Sequence, residues 1–403
     1  MSRDYSRLDR TLFRRESVSG LTAIVIGAGA LGNEVIKNLT LLGIGRLIIV
    51  DRDHIEPSNL TRSVLYCTPE IDRHLVARTP KAVLAAERVS QMNSDVQVEA
   101  LVSEVADVGL GVLRRADVVL GCLDSEPARF ELSWQCVRAD RPLVDGGLAV
   151  DDSSSGAVLV FPGAHGPCFL CRVDAARRRA LLWELQGSED PCWLRERRLE
   201  TEGFVSTTPV MASIVGALQV EMAVHAVAAG LESRETGSAH VVRLTPRLEV
   251  ENRTFRQGTE CPLHESAVTD VVARADRRSD EWTVREMLSE TAGPAATATL
   301  CLDWPMTAAA RCDSCGSTWE PWLRRARFRR SMCPRCGAGS PVECEVVGEI
   351  TAGSIWAGRS LADIGLPRSH IHEVVTEGAA GRARVFVEIA GDRPHAVEKV
   401  AHS

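Results

Sequence analysis

Between Leu21 and Val50 the chain switches between two hydrophobic patterns. Ala23 to Ile26 is an unbroken apolar run, Leu31, Val35, Ile36 and Leu39 then recur at helical spacing, and Arg46 to Val50 is a second apolar run. The pattern predicts strand, tight turn, helix, strand. The alternation continues with a helix over 80–92, a strand over 96–102, a buried strand over 117–121 and a helix over 128–139. Strands alternating with helices predict an α/β fold with a doubly wound, mostly parallel sheet. After the stretch Arg141 to Gly147 the pattern changes. Gly156 to Phe161 is a short strand with no helix before it, which predicts an antiparallel edge reached through a hairpin turn at Asp151 to Ser155.

Val210 to Ala229 is apolar almost all round, with only Gln219, Glu221 and His225 clearly polar and Pro209 at a first-turn position. This predicts a long helix buried on most sides, whose small residues Ala212, Ser213, Gly216 and Ala217 permit close helix contact. Two strands over 240–244 and 247–252 follow. A second unit begins near Glu265, with a helix over 280–291 capped by Ser279 and Asp280, a strand over 298–302, a short helix-and-stop signal at Leu361 to Pro367 and a strand over Arg382 to Ile389. His370 and His372 flank Ile371 without a third ligand nearby and read as surface residues. The charged first twenty residues read as a solvated amphipathic helix.

The 403 residues suffice for two domains with real cores. A formal net charge of −7 argues against a nucleic-acid partner, which needs an excess of Lys and Arg. No apolar run reaches 18 residues without a charge, and MSRDYSRLDR lacks the apolar core of a signal peptide, so no membrane partner and a cytoplasmic location are expected. In that setting the 13 cysteines read as metal ligands and thiols rather than disulfides.

Gly27, Gly29 and Gly32 stand in GxGxxG spacing between the first strand and the helix. Such glycines let the backbone turn sharply and approach a ligand, while the helix N-terminus faces a phosphate. Asp51, at the end of the second strand, is placed to accept hydrogen bonds from a ribose, so the unit reads as nucleotide-binding. A dehydrogenase would share these features. Ser58-Asn59-Leu60-Thr61-Arg62, Lys81 and Cys122-Leu123-Asp124-Ser125 separate the two readings. Hydride transfer has no use for them, whereas Arg and Lys suit a triphosphate and an Asp at a strand's C-terminal edge suits Mg²⁺.

GAGALG, the VDRD motif containing Asp51 and Asp53, SNLTR, PKA, CLDS with Arg129 behind it, and Ser206-Thr207-Thr208-Pro209 together resemble the ThiF/MoeB/HesA adenylyltransferases, bacterial relatives of ubiquitin-activating enzymes. The resemblance covers roughly residues 1–265. It implies a Rossmann-like adenylation fold that uses ATP and Mg²⁺ to activate the C-terminal glycine carboxylate of a ubiquitin-like or sulfur-carrier protein as an acyl-adenylate. By that resemblance Asp51 holds the ribose with Asp53 beside it, Asn59, Arg62 and Lys81 handle the phosphates, and Asp124 holds the metal. It also implies a homodimer in which an N-terminal Arg, Arg7 or Arg10, reaches the partner's ATP; the Gln that usually follows this Arg is Leu8 here. Members that carry the activated protein on their own thiol keep a Cys on a crossover loop, here about 172–205. Cys192 is that loop's one cysteine, and a conjugating enzyme would then be a further partner. Members that only adenylate would look much the same, whereas the intact Asp51, Asn59, Arg62, Lys81 and Asp124 set argues against a catalytically silent binding module on this fold.

Cys168-Phe169-Leu170-Cys171 by itself reads as a redox pair, half a zinc site or coincidence. The resemblance places it beside Cys261-Pro262-Leu263-His264 as one Cys₃His zinc site, with His264 standing where the family usually has Cys. Cys312, Cys315, Cys333 and Cys336 form two CxxC knuckles, each followed by Gly, the pattern of a structural Cys₄ zinc ribbon. Arg324 to Arg330 lies between the knuckles and reads as a solvated loop or a docking patch for an acidic partner. The expected layout is an adenylation domain over 1–265, a helical connector over 266–300 and a smaller α+β zinc-ribbon recognition domain over 301–403. The partner's identity is not written in the sequence.

Overall fold

A computed structural model describes residues 3–392 apart from 12, 150–153, 187–207, 229–235, 259–260, 267, 269–271, 293–296, 330, 340 and 379–380. Cys192, the Asp151 turn, Ser206 and Thr207 lie outside the described residues. Eight strands form the first sheet: β1 (Thr22–Ile26), β2 (Arg46–Val50), β3 (Gln97–Leu101), β4 (Val118–Gly121), β5 (Leu143–Leu148), β6 (Ser155–Phe161), β7 (Thr236–Arg243) and β8 (Glu249–Arg256). Their order is β3-β2-β1-β4-β5-β6-β7-β8. The pairs among β1 to β5 are parallel, and β6 to β8 add an antiparallel edge, as the loss of an intervening helix predicts. Because side chains alternate across the sheet, β1 and β2 send Ala23, Val25, Leu47 and Ile49 to one core and Ile24, Ile26, Ile48 and Val50 to the other.

The Ala30–Leu42, Lys81–Met92 and Pro209–Ala228 helices cover the first face. Ala30–Leu42 ends where Gly43 adopts φ +75°, a left-handed stop that frees Gly43 and Ile44 N–H groups to cap the last turn. Pro209–Ala228 packs on β5 and β6, and Gly156 is required beneath it because a Cβ there would meet Val215 at 2.5 Å. The helix is long and apolar enough to cross a membrane by composition, yet half of its span is buried in this domain. As expected it is covered on most sides; Val210 is 59% exposed at its start, and Ala217 is open beside Phe13, Leu41 and Leu42.

The Glu126–Ala139 helix covers the other face and from Phe130 onward is buried all round, including Glu131, Ser133, Gln135 and Arg138. Its outer side is closed by a second sheet of β9 (Val272–Ala275), β10 (Thr297–Arg311), β11 (Thr318–Trp319), β12 (Leu323–Arg324), β13 (Val342–Thr351), β14 (Ile371–Gly378) and β15 (Gly381–Ile389). Trp304, Ile371 and Phe386 of this sheet share one core with Phe130 and Trp134.

Several expectations change here. The 266–300 segment supplies β9, parallel to β15, and a helix packed on β10, so it belongs to the second sheet. That helix begins at Val284, where Thr283 and Glu286 cap each other's N–H groups, and not at Ser279. The strand expected over 298–302 runs through the whole of β10. The N-terminal segment is helical only at Arg15–Val18 among the described residues.

His370 and His372, read as surface residues, are 5% and 3% exposed. His370 Nδ1 accepts the Leu110 N–H at 3.2 Å, and its Nε2 lies 2.9 Å from Asp303, which also pairs with Arg138. Against the cost of burial, Arg138 and His370 hold the Asp303 carboxyl well below its usual range. The arginine arm also points inward: Arg324 pairs with Glu131 at 2.8 Å and donates to the Ala106 carbonyl at 2.6 Å, Arg325 pairs with Glu343, and Arg327 with Asp107. Buried Glu131 on the facing helix, which no local pattern announces, recruits Arg324, while Arg327 and Asp107 pair at the surface.

Candidate nucleotide site and metal centres

The C-terminal ends of β1, β2, β4 and β5 converge on the turn after β1. Gly27 has φ +97°, and a Cβ there would lie 2.5 Å from the Cys122 carbonyl oxygen. A Cβ on Gly32 would lie 1.9 Å from the Gly27 carbonyl oxygen, so backbone packing requires both glycines. Gly29 differs: nothing lies within 4 Å of its would-be Cβ. No protein neighbour explains this glycine. The open space lies at the start of the Ala30–Leu42 helix, whose N-cap makes no side-chain hydrogen bond. Free N–H groups beside an open cradle fit a phosphate.

Asp51 braces the turn, its carboxylate accepting the Ala28 N–H at 2.6 Å and the Asp53 N–H at 2.7 Å. Burial raises its pKa, countered by those N–H bonds and by Lys81. An ionised carboxylate has further lone pairs with which to receive a ribose hydroxyl. Lys81 Nζ rests 3.0 Å from Asp53, so Asp53 is its present counter-ion. Asn59 is buried and accepts the Glu56 N–H at 3.0 Å, shaping the 3₁₀ turn Pro57–Thr61 that ends at Arg62. Arg62 is half-buried with no ion pair among the described residues, and Asp124 is exposed at the end of β4. Arg7 is exposed on the first turn. Its neighbour Tyr5 packs on Gly43, at the far end of a 13-residue helix from Gly29, roughly 20 Å away at 1.5 Å per residue.

Sequence reasoning passed over the scaffold behind these groups. Asn33 donates to the Ala28 and Gly29 carbonyls and accepts the Leu65 N–H, linking the glycine turn to the Arg62 loop. Gln219 donates to the Gly121 and Val144 carbonyls at 2.9 and 2.8 Å, stapling the end of β4 to β5. Its signal was present: a fully buried amide on an otherwise apolar helix needs backbone partners.

Both cysteine clusters close up. Cys168 Sγ lies 3.8 Å from Cys171 and 3.5 Å from Cys261, and Cys171 Sγ lies 3.3 Å from His264 Nε2. In the second cluster Cys312 to Cys336 is 3.6 Å and Cys315 to Cys333 is 3.7 Å. Tetrahedral zinc with bonds of about 2.3 Å needs thiolates roughly 3.8 Å apart, so both donor sets fit the ion. Gly316 and Gly337, at φ +69° and +73°, make the knuckle turns.

This geometry defines a nucleotide-binding α/β domain joined to a zinc-ribbon unit. Residues 11–265 match the ThiF family model, and the chain belongs to the ThiF family. It is 36% identical over 163 residues to a sulfur carrier protein adenylyltransferase of Thermus thermophilus, covering 39% of this chain and 57% of that protein. It is 33% identical over 197 residues to the sulfur carrier protein ThiS adenylyltransferase of Escherichia coli, covering 49% of this chain and 68% of that protein. The match thus spans little more than half the length of the Thermus relative. The crystal structure of E. coli MccB is alike in fold, with a TM-score of 0.51 at 17% identity over 67% of this chain and 74% of that one.

Proposed function

We propose that this protein adenylates the C-terminal carboxylate of a small carrier protein. The observation that carries this reading is the open cradle at Gly29 with Asp51, Arg62, Lys81 and Asp124 around it, in a ThiF-family domain. The names of the relatives favour a sulfur-carrier protein over a ubiquitin-like conjugation substrate. ATP lies with its ribose on Asp51 and its phosphates along the glycine turn. The carrier's terminal carboxylate oxygen attacks the α-phosphorus in line, an O–P bond forms, and the bond to the β-phosphate oxygen breaks to release pyrophosphate. Lys81 leaves Asp53 for the phosphates, and Arg62 neutralises charge opposite it. Asp124 would hold Mg²⁺, which when bound would supply further charge neutralisation on the triphosphate. The two zinc ions serve the fold. Tyr5 anchors the N-terminus far from its own Gly29, as is needed if Arg7 or Arg10 is to serve the site of a second copy in a homodimer, the arrangement the family resemblance implies.

Purified protein, ATP·Mg²⁺ and candidate carriers ending in Gly-Gly test this by carrier-dependent exchange of labelled pyrophosphate into ATP. Exchange is expected, with adenylate mass on the carrier. No exchange with any such carrier would sink the reading. In the same samples, a dithiothreitol-sensitive mass gain on the enzyme that Cys192→Ala removes would move the assignment to thioester-forming activation.

A further inference from the structure

Asp145, in the middle of β5 opposite Gly121 at the end of β4, is 1% exposed, and neither carboxylate oxygen has a hydrogen-bond partner among the described residues. Its nearest cation is Arg129, with Nη1 3.6 Å from Oδ2. The same guanidinium donates through Nε to the Leu123 carbonyl at 3.1 Å and through Nη2 to the Gly146 carbonyl. Arg129 is therefore a strut between β5 and the turn whose next residue is Asp124.

Two glycines make room for this pair. A Cβ on Gly121 would lie 2.5 Å from Asp145 Oδ1, and one on Gly147 would lie 2.1 Å from Arg129 Nη2. Neither glycine has a positive φ, so space and not backbone conformation requires them. A buried ion pair lacking hydrogen bonds to its carboxylate is a poor stabiliser, and an apolar pair of the same volume would serve stability at least as well. Two strands nonetheless give up their side chains to house it.

We propose that Asp145 is a positioning residue for the metal-binding turn: it holds Arg129 in place, Arg129 fixes the Leu123 carbonyl, and Asp124 is thereby set to receive Mg²⁺ with the nucleotide. This rests on the adenylation reading of the site. Groups that orient a metal ligand without touching the metal are commonly worth 10- to 100-fold in metal affinity.

The test compares wild type with Asp145→Asn, which keeps the volume and removes the charge, and with Asp145→Ser, which also relieves crowding. ATP affinity is measured by calorimetry with Mg²⁺ and with EDTA, beside a thermal melt. Both variants are expected to stay folded, as the melt reports, and to bind ATP alone as wild type does, while losing at least about tenfold of the affinity that Mg²⁺ adds. An unchanged Mg²⁺ increment, with or without a lower melting temperature, overturns the proposal and leaves Asp145 a structural residue. Wild type that binds no ATP under any condition overturns the reading of the site itself, and this inference with it.

Discussion

Arg324 Nη1 lies 2.8 Å from the carboxylate of Glu131, joining the arm between the two zinc knuckles to the helix that follows Asp124. Glu131 is buried, and on the same helix Trp134 meets Trp304 of the second sheet with ring centroids 4.5 Å apart at a tilt of 48°. The ribbon unit is thus seated on the adenylation domain through a shared core and buried ion pairs. Removing one partner of such a pair commonly costs about 3–5 kcal/mol, because the other charge is left buried and alone. Arg324→Ala is therefore expected to lower the melting temperature sharply, and Arg324→Met with Glu131→Leu to recover most of the loss. Differential scanning calorimetry reads both; additive losses in the double variant would show that the two residues do not act as a pair.

The glycine turn offers a paired experiment. Gly32→Ala drives a Cβ against the Gly27 carbonyl and is expected to disrupt the turn and the fold around it. Gly29→Ala meets no protein atom, so the chain should fold normally while ATP affinity falls at least about tenfold where the new methyl meets phosphate. Equal ATP binding by Gly29→Ala and wild type would place the nucleotide elsewhere.

Lys81→Ala and Arg62→Ala each remove a charge that the proposed transition state uses. Each is expected to slow pyrophosphate exchange on the order of 10²-fold or more with little change in melting temperature. Rates within twofold of wild type would remove these residues from the mechanism.

Metal content separates the two clusters. Wild type is expected to carry two zinc ions per chain by mass spectrometry, and Cys261→Ser or Cys333→Ser one each, with a lower melting temperature in both cases. Iron in place of zinc, or full occupancy in either variant, would refute the assignment. Ser317 and neighbouring backbone N–H groups pull the Cys333 thiol down to about 6, which favours the thiolate the ion needs.

Asp145 carries a pH signature. Burial lifts its pKa to about 6, with Arg129 and Arg172 opposing the shift and the buried thiols of Cys122 and Cys136 beside it. A carboxyl whose folded pKa is raised contributes stability that is complete below the unfolded value near 4 and is lost as pH climbs through the folded value. Wild type should therefore lose up to about 2–3 kcal/mol of this contribution between roughly pH 4 and 6.5 relative to Asp145→Asn. Denaturant melts of both proteins across that range measure the difference; parallel curves would show that Asp145 does not titrate there.

The sequence by itself determined what local spacing controls. Gly27, Gly29 and Gly32 announce a turn because only that spacing lets a strand feed a helix over a ligand, and each CxxC pair chelates because its two sulfurs sit on one turn. The mostly parallel character of the first sheet, and the switch to an antiparallel edge, followed from where helices do and do not intervene. Tertiary structure decided what depends on a remote segment. Whether Arg324 is solvated or buried turns on Glu131, whether His370 is a surface residue turns on Leu110 and Asp303, and Cys168 meets Cys261 only once β6 to β8 are in place. Asp145 illustrates the limit: its sequence context is an ordinary strand, and its role emerges only when Arg129, Gly121 and Gly147 close around it. Burial is a property of what covers a residue, and the covering groups here come from other parts of the chain.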